Sequence, residues 1–475
     1  MPTLLARNAE VVVTMDDGRR ELADAGLFVR NGVIEQVGST EELPRDADVV
    51  LDLTGQIVLP GFVNTHHHLD QTLTRALPPG QNINLFPWLR VHYPIWGRRT
   101  AEASRWCALV GLAELAASGC TTVFDHTYMF PNDCRLDDEI AAAREIGVRF
   151  HASRGSMSLG ESKGGLPPDH LVEDEAAIFD DSRRVIEQFH DRSHGSMTQI
   201  VLAPCSPFSV TPELLRETAI LARASGVRLH THLCETLDEE RFTLTNFHQR
   251  PVAWMESMGW LGDDVWFAHA IHVDDDEIGE FAGTGSGVAH CPCSNMRLAS
   301  GIAPLKKYLD AGVRVGLGVD GSASNDASNM LLEARQAMLL ARLRIGLLPP
   351  EGPRTVLSTS DPLRSGEWMT ARDVLEVATR GGAAVLGRSD IGALAPGMCA
   401  DFFGIDLNTV DYAGALNDPV AATVFCAPQR ARCTVIDGRV VVQDGKVVTV
   451  DMAPVIEAHN RFSRQLASPQ PTRSS

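Results

Sequence analysis

Eight short runs of β-branched and aromatic residues alternate along this chain with stretches that have a helical pattern. The runs are QIVLPGFVNT, TTVFD, VRFHAS, QIVLAP, VRLHTH, VWFAH, GVAHC and VRVGLGVD. Strands that alternate with helices in this way form βαβ units and a parallel sheet. Helix-start signals frame the intervening segments, such as Thr100 for one helix and Thr211-Pro212 for another. Eight such units predict an α/β fold, a (β/α)8 barrel of the TIM type.

The two ends of the chain show a different pattern, in which short strands are joined by tight turns. Asn31-Gly32 near the start, and Asp437-Gly438 and Asp444-Gly445 near the end, are hairpin signals. We therefore expect both ends to contribute to one small β-sandwich domain. The predicted division is a β-domain built from residues 1–57 and 391–450, a barrel over residues 58–390, and a C-terminal helix and tail over residues 451–475.

Two stretches rich in turn-forming residues are expected to be long loops, namely Gly155 to Pro168 and Pro349 to Asp361. Loops of this length often carry function, so one or both are candidates to cover a binding pocket, with disorder as the alternative. The final PQPTRSS is polar and contains proline, so we expect it to be a frayed tail.

The charge of the chain restricts its partners. The 475 residues carry a formal net charge of −19 at pH 7, which repels phosphate backbones and anionic lipids. Nucleic-acid polymers and membranes are therefore not expected partners. No apolar stretch reaches the roughly 18 residues of a membrane span, and no leader pattern is seen, so we expect a cytoplasmic protein. The ten cysteines are scattered, which indicates reduced thiols rather than a disulfide framework.

A string of three histidines follows the first of the barrel runs directly. Side chains in a strand alternate between its two faces, so His66 and His68 point to one side and His67 to the other. Two imidazoles on one side of a strand end are half of a tetrahedral metal site. Taken alone, however, the string is equally well explained as polar loop residues.

Three later runs also end in residues that bind metals, namely His232, His269 and Asp320. A single histidine at a strand end is usually a core residue, but the carboxyl ends of all the strands of a barrel meet on one face. Together, these residues therefore favour a metal site over separate packing roles. Glu235 lies three residues beyond His232, where its carboxylate can reach an atom bound beside the metal. The alternative for Glu235 is a solvated charge that leads into an acidic run.

These motifs resemble those of the amidohydrolase superfamily: PGFVNTHHH, then HLCE, then a histidine at a strand end, then VDGSASND. The resemblance extends over essentially the whole chain. In the mononuclear deaminases of the superfamily, the matching positions imply the metal ligands His66, His68, His232 and Asp320, the proton shuttle Glu235, and His269 as a catalytic or supporting histidine.

The resemblance also implies one divalent metal ion per chain. Some relatives hold two metals bridged by a carboxylated lysine at the end of the fourth strand, but residues 199–205 contain no lysine here. Three imidazoles and one carboxylate accommodate Zn²⁺ or Fe²⁺, of which zinc is the expected ion. Related enzymes are commonly dimers or larger, so a homo-oligomer is expected.

The expected chemistry is hydrolytic. A metal ion lowers the pKa of a bound water molecule from about 16 to near 7, which makes a nucleophile available at neutral pH. In this hypothesis Asp320 accepts the proton of the water, His269 stabilises the attack, and Glu235 protonates the ring nitrogen before the amine leaves. We therefore expect a deaminase that acts on a cyclic amidine in purine metabolism and releases ammonia.

The identity of the substrate depends on weaker features. The stretches SPFSVTPELL, HTHLCETLDEERFTLTNF and AHCPCSNMRLASGIAP resemble the deaminases of oxidised guanine, which implies a 2-amino-4-oxo ring such as 8-oxoguanine or isocytosine. The candidate substrate-binding residues are Gln71, Trp88, Cys205, Ser206 and Ser209. The amide of Gln71 offers both a donor and an acceptor, and Trp88 can stack on a flat ring. Ordinary loop packing is the alternative for both.

Several other assignments remain to be distinguished. Guanine deaminase and the s-triazine hydrolases displace an amine or chloride by similar chemistry, and Glu235 favours an amine because its departure needs a proton. Nicotinamide binding is disfavoured, since the G-x-G-x-x-G match at residues 316–321 lies within a strand rather than at a helix start. A non-catalytic scaffold would lack metal ligands, whereas the inferred set is complete.

Overall fold

The computed structural model describes residues 2–347 and 368–468. The expected loop from Pro349 to Asp361 and the tail PQPTRSS lie outside these ranges. Eight parallel strands close into a barrel, which confirms the predicted fold. In chain order they are β1 (Phe62–Asn64), β2 (Cys120–Asp125), β3 (Arg149–Ser156), β4 (Thr198–Pro204), β5 (Arg228–Leu233), β6 (Val265–His269), β7 (Gly287–His290) and β8 (Arg314–Leu317). Each strand pairs with the next, and β8 closes the barrel on β1 through Leu317 and Asn64.

The helices begin where the sequence signals indicate. The side chain of Thr100 accepts a hydrogen bond from the backbone of Ala103, and that of Thr211 accepts one from Leu214. The helix that starts after Thr211 ends at Ser225 and is followed by Gly226, which has a φ of 60°. The described helices are α1 (Leu85–Trp96), α2 (Ala101–Ala117), α3 (Leu136–Ile146), α4 (Glu175–Phe189), α5 (Pro212–Ser225), α6 (Leu237–Phe247), α7 (Pro251–Ser257), α8 (Asp275–Thr284), α9 (Pro292–Arg297), α10 (Leu305–Asp310), α11 (Met330–Leu347), α12 (Ala371–Glu376), the π-helical segment Val377–Gly381, α13 (Gly382–Val385), α14 (Pro419–Phe425) and α15 (Met452–Ala467). Among the described helices, none combines the length and the hydropathy that a bilayer crossing requires.

Alternate residues of the barrel strands belong to two separate hydrophobic clusters. Val123 and Phe267 pack in the large cluster that also contains helix residues such as Leu112. Their neighbours Phe124 and Trp266 pack in a second cluster inside the barrel. The barrel interior is therefore a packed core. A binding site has to lie outside it, and barrel enzymes place their active sites at the carboxyl ends of the strands.

Strands from both ends of the chain form one further sheet. Its nine strands are Thr3–Val13, Glu21–Arg30, Val33–Ser39, Val49–Asp52, Gln56–Pro60, Phe402–Asp406, Cys433–Ile436, Arg439–Gln443 and Lys446–Val447. The strands are hydrogen-bonded into one continuous sheet, yet residues from its two halves, such as Leu27 and Val435, share one hydrophobic cluster as in a sandwich. At the hairpin turns, Asn31 and Gly32 have φ of 52° and 77°, which is the left-handed geometry that these turns require.

The run QIVLPGFVNT, expected to be one barrel strand, is divided at Gly61. Gln56–Pro60 pairs with Phe402–Asp406 in the sheet of the chain ends, whereas Phe62–Asn64 is barrel strand β1. The backbone at Gly61 passes so close to the side chain of Thr121 that a Cβ atom there would overlap it. The apolar pattern does not reveal this change of sheet, because both halves of the run are completely buried.

Candidate metal centre and active site

The three histidines leave β1 in alternating directions. His66 and His68 are buried at the carboxyl end of the barrel, and His67 turns away, with its Nε2 3.0 Å from the hydroxyl of Ser328. The backbone of His67 and His68 pairs in parallel with Asp320 and its neighbour. This pairing brings the segment after β8 alongside the segment after β1. The carboxylate of Asp320 thereby lies beside the imidazoles.

The four predicted metal ligands meet at this end of the barrel. His68 Nε2 lies 3.1 Å from His232 Nε2, which comes from the carboxyl end of β5. Asp320 Oδ1 lies 3.3 Å from His66 Nε2 and 3.4 Å from His68 Nε2. The imidazoles of His66, His68 and His232 offer ligand atoms that all lie within 4.8 Å of one another. One small ion can therefore contact all four side chains.

Backbone carbonyls fix the tautomers of two of these histidines. His68 Nδ1 donates to the carbonyl of His126 at 2.7 Å, and His232 Nδ1 donates to the carbonyl of Cys205 at 2.6 Å. A carbonyl only accepts hydrogen bonds, so in each ring the proton is on Nδ1 and the lone pair is on Nε2. Both lone pairs are therefore available to a metal ion.

The charge states of the ligand residues also fit a divalent cation. His66 Nε2 is buried and has no hydrogen-bond partner among the described residues. Burial lowers the pKa of His66 to about 3, so the ring is neutral. Burial alone would raise the pKa of Asp320, but the neighbouring imidazoles, above all that of His66, hold it well below its usual value. Three neutral imidazoles and one carboxylate are a donor set that zinc and similar ions accept.

Glu235 and His269 lie beside the predicted metal ligands. His269 Nε2 is 3.6 Å from Glu235 Oε2 and 3.9 Å from Asp320 Oδ2. Its Nδ1 is 2.9 Å from the side-chain oxygen of Asn295. Burial would lower the pKa of His269, but the carboxylates of Glu235 and Asp320 raise it above its ordinary value. Burial raises the pKa of Glu235 to about 7, so this group can hold or release a proton near neutral pH.

The backbone around the site is held in conformations that most residues avoid. Cys234, His269 and Asp320 have φ of 55°, 71° and 60°, and such positions cost of order 1–3 kcal/mol each unless the surroundings impose them. At Cys234, hydrogen bonds to the carboxylate of Glu239 hold the backbone in this conformation. The carboxylate accepts from the N–H of Cys234 at 2.8 Å and from the N–H of Glu235 at 3.1 Å. Glu239 is fully buried and fixes the backbone of Glu235.

A cavity opens at this end of the barrel, and its lining includes His68, His232, Glu235, His269 and Asp320. Of the five predicted substrate-binding residues, Gln71, Trp88, Cys205 and Ser206 line it. Ser209 does not. The turn after β4 directs Ser209 back onto Ser206, with the two hydroxyls 2.8 Å apart, and leaves it fully buried behind the cavity wall.

Helix α1 supplies one wall of the cavity, through four residues between Leu85 and Tyr93. The segment from Gly155 to Pro168, expected as a candidate cover, contributes none of the lining residues that the structure describes. Strand β3 continues to Ser156, and Met157 then packs in the hydrophobic cluster that includes the aromatic residues of α1. The apolar side chain of Met157 thus holds the start of this segment behind the wall rather than over the mouth.

Three polar atoms on the cavity walls are buried without a hydrogen-bond partner among the described residues. They are Gln71 Oε1, Trp88 Nε1 and the hydroxyl of Tyr93. An unsatisfied buried polar group costs about 1–3 kcal/mol, so a ligand that pairs with these atoms removes that cost. Two tyrosines of the cavity wall, Tyr93 and Tyr128, were not among the predicted residues. The ring of Tyr128 lies 5.2 Å from that of His68. No sequence motif marks either tyrosine.

Two further histidines, which contact the predicted metal ligands, were also missing from the predicted site. His126 follows β2 directly, and its ring stacks on that of His232 with centroids 4.7 Å apart. His230 precedes His232 on the same face of β5, and its Nε2 lies 2.9 Å from His66 Nδ1. Both positions follow the strand-end and period-two rules that identified the ligands, so the signal for them was present in the sequence.

Comparison with known sequences identifies a family for this chain. The sequence model of the amidohydrolase family matches residues 57–441. An 8-oxoguanine deaminase from Pseudomonas aeruginosa is 47% identical over 447 residues, which cover 94% of this chain and 95% of that protein. A hydroxydechloroatrazine ethylaminohydrolase from Pseudomonas sp. strain ADP is 35% identical over 484 residues, which cover 98% of this chain and 96% of that protein.

Comparison with solved structures agrees as well. An atrazine chlorohydrolase from Arthrobacter aurescens TC1, complexed with zinc, superposes with a TM-score of 0.89 at 35% identity and covers 97% of this chain and 100% of that chain. The family match spans most of the sequence, and these relatives share more than 30% identity over nearly its whole length. The chain therefore belongs to the amidohydrolase family and is a hydrolase.

Proposed function

We propose that this chain is a hydrolytic deaminase of a 2-amino-4-oxo heterocycle and that its substrate is 8-oxoguanine. The observation that carries the proposal is the position of Glu235, a buried acid on the wall of the cavity that the metal ligands share. An amine leaves as ammonia only when it receives a proton, and Glu235 is placed to supply one. The 47% identity to an 8-oxoguanine deaminase supports the choice of heterocycle.

The ligand set His66, His68, His232 and Asp320 would hold one divalent ion, which we propose to be zinc. The chemistry that such an ion supplies when bound is the activation of water at neutral pH. Asp320 can serve both the ion and the water, because its two oxygens face different groups. Oδ1 faces the imidazoles of His66 and His68, whereas Oδ2 lies 3.9 Å from His269 Nε2.

In the proposed reaction, water adds to the ring carbon that carries the exocyclic amine, and the C–N bond to that amine breaks. Asp320 accepts a proton from the attacking water, and Glu235 delivers its own proton to the ring nitrogen. The proton held by Asp320 then returns Glu235 to its acid form, and Glu235 passes this proton to the departing amine. Glu235 finally takes up the proton of the new hydroxyl group, which becomes the oxo group. His269, between these two carboxylates, stabilises the charge that develops during attack. The balance is one water consumed, one ammonia released and an oxo group in place of the amine.

Substrate recognition is proposed to use the unpaired polar atoms of the cavity. The amide of Gln71 can pair with the lactam edge of the ring, which presents an N–H donor next to a carbonyl acceptor. The indole of Trp88 provides a flat apolar surface and one N–H donor. Cys205 and Ser206 contribute small side chains to the cavity wall after β4.

A substrate panel tests the proposed function. We expect ammonia release from 8-oxoguanine with a kcat/KM at least about tenfold above that for guanine, isocytosine and hydroxylated s-triazines. The triazine arm is needed because the ethylaminohydrolase and the atrazine chlorohydrolase are each 35% identical to this chain. A higher kcat/KM for any other member of the panel would reject 8-oxoguanine as the preferred substrate. Absence of ammonia release from all of them would reject the deaminase proposal.

Replacement of Tyr93 by phenylalanine is expected to lower kcat/KM for the preferred substrate by about tenfold, which corresponds to one lost hydrogen bond. Burial keeps this phenol protonated, since it raises the pKa of Tyr93 well above 10. Tyr412→Phe is a matched control, because the hydroxyl of Tyr412 is also buried and without a partner among the described residues but lies outside the cavity. Equal kcat/KM in the two variants would show that Tyr93 does not contact the substrate.

A further inference from the structure

His230 connects the metal ligand His66 to the backbone of the next barrel strand. His230 Nε2 lies 2.9 Å from His66 Nδ1, and His230 Nδ1 lies 3.0 Å from the carbonyl oxygen of Trp266. The three groups form one hydrogen-bonded chain that runs across β5 from β6 to the segment after β1. His230 is completely buried, so water does not compete for either ring nitrogen.

The carbonyl of Trp266 determines which atom donates and which accepts in each of these two hydrogen bonds. The carbonyl of Trp266 can only accept, so His230 Nδ1 carries a proton and donates it. A second proton on His230 Nε2 would create a buried cation, which is costly without a carboxylate partner. His230 Nε2 therefore accepts, and the proton between the two rings belongs to His66 Nδ1. The lone pair of His66 is then on Nε2, which faces Asp320 at 3.3 Å.

His66 differs in this respect from the other two imidazole ligands. His68 and His232 each donate from Nδ1 directly to a backbone carbonyl. His66 lies inside the barrel mouth. Among the described residues, its Nδ1 has His230 as its hydrogen-bond acceptor. The ring of His230 is itself held between Phe124 and Trp266, with ring centroids 4.7 Å and 4.6 Å away.

We propose that His230 is a positioning residue, which fixes the tautomer and ring orientation of His66 so that its Nε2 lone pair points at the metal ion. The acceptor that does this is an imidazole, in a place where a carboxylate or a carbonyl usually serves. The proposal concerns metal binding alone and does not depend on which heterocycle is the substrate. It requires a hydrogen-bond acceptor at the position of His230 Nε2. This requirement can be tested with substituted side chains that differ in length.

Two polar substitutions differ in whether they reach His66. In His230→Gln, the terminal amide extends to about the position of Nε2 and can accept from His66 Nδ1. In His230→Asn, the amide ends near the position of Nδ1 and cannot span the distance. Both side chains are uncharged and no larger than an imidazole, so neither variant buries a charge or overfills the site.

The measurement is zinc affinity, by competition with a chromogenic chelator, together with the melting temperature of the metal-free protein. We expect His230→Asn to weaken zinc binding by about 10- to 100-fold and His230→Gln to stay within about threefold of the parent protein. His151→Asn is a matched control, since His151 is buried in β3 beside Arg388 and outside the metal site. It should change the melting temperature of the metal-free protein without changing the zinc affinity.

The proposal is overturned if His230→Asn binds zinc within about threefold of the parent protein. It is also overturned if His230→Gln loses as much affinity as His230→Asn, because His230 would then act through packing rather than as an acceptor. If His230→Asn is not obtained folded, the glutamine variant alone decides, since it must retain zinc affinity and also the d–d spectrum of a cobalt-substituted parent protein.

Discussion

Replacement of Glu235 by glutamine is expected to lower kcat by about 10²- to 10⁴-fold while the metal content stays unchanged. Glu235 is not a metal ligand in the proposed site, and its carboxylate lies 3.6 Å from His269 Nε2. Glutamine has nearly the same shape and can keep the contact to the hydroxyl of Ser300, but its amide cannot transfer a proton. Ammonia release and metal analysis should be measured on the same protein sample.

The matched control for this variant is Glu213→Gln. Glu213 lies in α5 with 73% of its side chain exposed, so the same chemical change there should leave kcat within experimental error. Unchanged turnover in Glu235→Gln would remove the proton-transfer role from Glu235. A loss of metal together with turnover would instead show that Glu235 supports the metal site, and the proposed mechanism would need another acid.

The clustering of the proposed metal ligands could be predicted from the sequence because two geometric rules act on them. Side chains alternate along a strand, which separates His66 and His68 from His67, and parallel barrel strands all end on one face. These rules hold for any sequence that forms the barrel, whatever its loops do. His232 and Asp320 follow the same logic, although they are distant along the chain.

The walls of the cavity could not be predicted in the same way, because they depend on how helices and turns pack. Helix α1 reaches the barrel mouth through its aromatic cluster, and nothing in the local pattern of Tyr93 indicates that it faces the site. Ser209 has the residue type of a pocket residue, but its turn directs it back onto Ser206. Glu239 has the residue type of a surface residue, yet it caps two backbone amides.

Removal of the metal ion by a strong chelator is expected to lower kcat/KM at least about a hundredfold, since the pKa of water then returns from near 7 to about 16. The chain should remain folded, because the barrel is closed by its own strands and core. Activity, metal content per chain and the melting temperature should be followed together during chelation and during readdition of zinc or ferrous iron.

The readdition step tests both the number and the identity of the ions. One equivalent of zinc per chain is expected to restore activity, because residues 199–205 offer no lysine to bridge a second ion. Binding to the folded chain alone adds about 2.7 kcal/mol of stability at a free zinc concentration one hundred times the dissociation constant, so the melting temperature should rise with zinc. Restoration by iron but not by zinc would correct the proposed ion. Full activity at less than about a tenth of an ion per chain would contradict a metal-dependent mechanism, because the imidazoles and Asp320 would then have no cation to activate water.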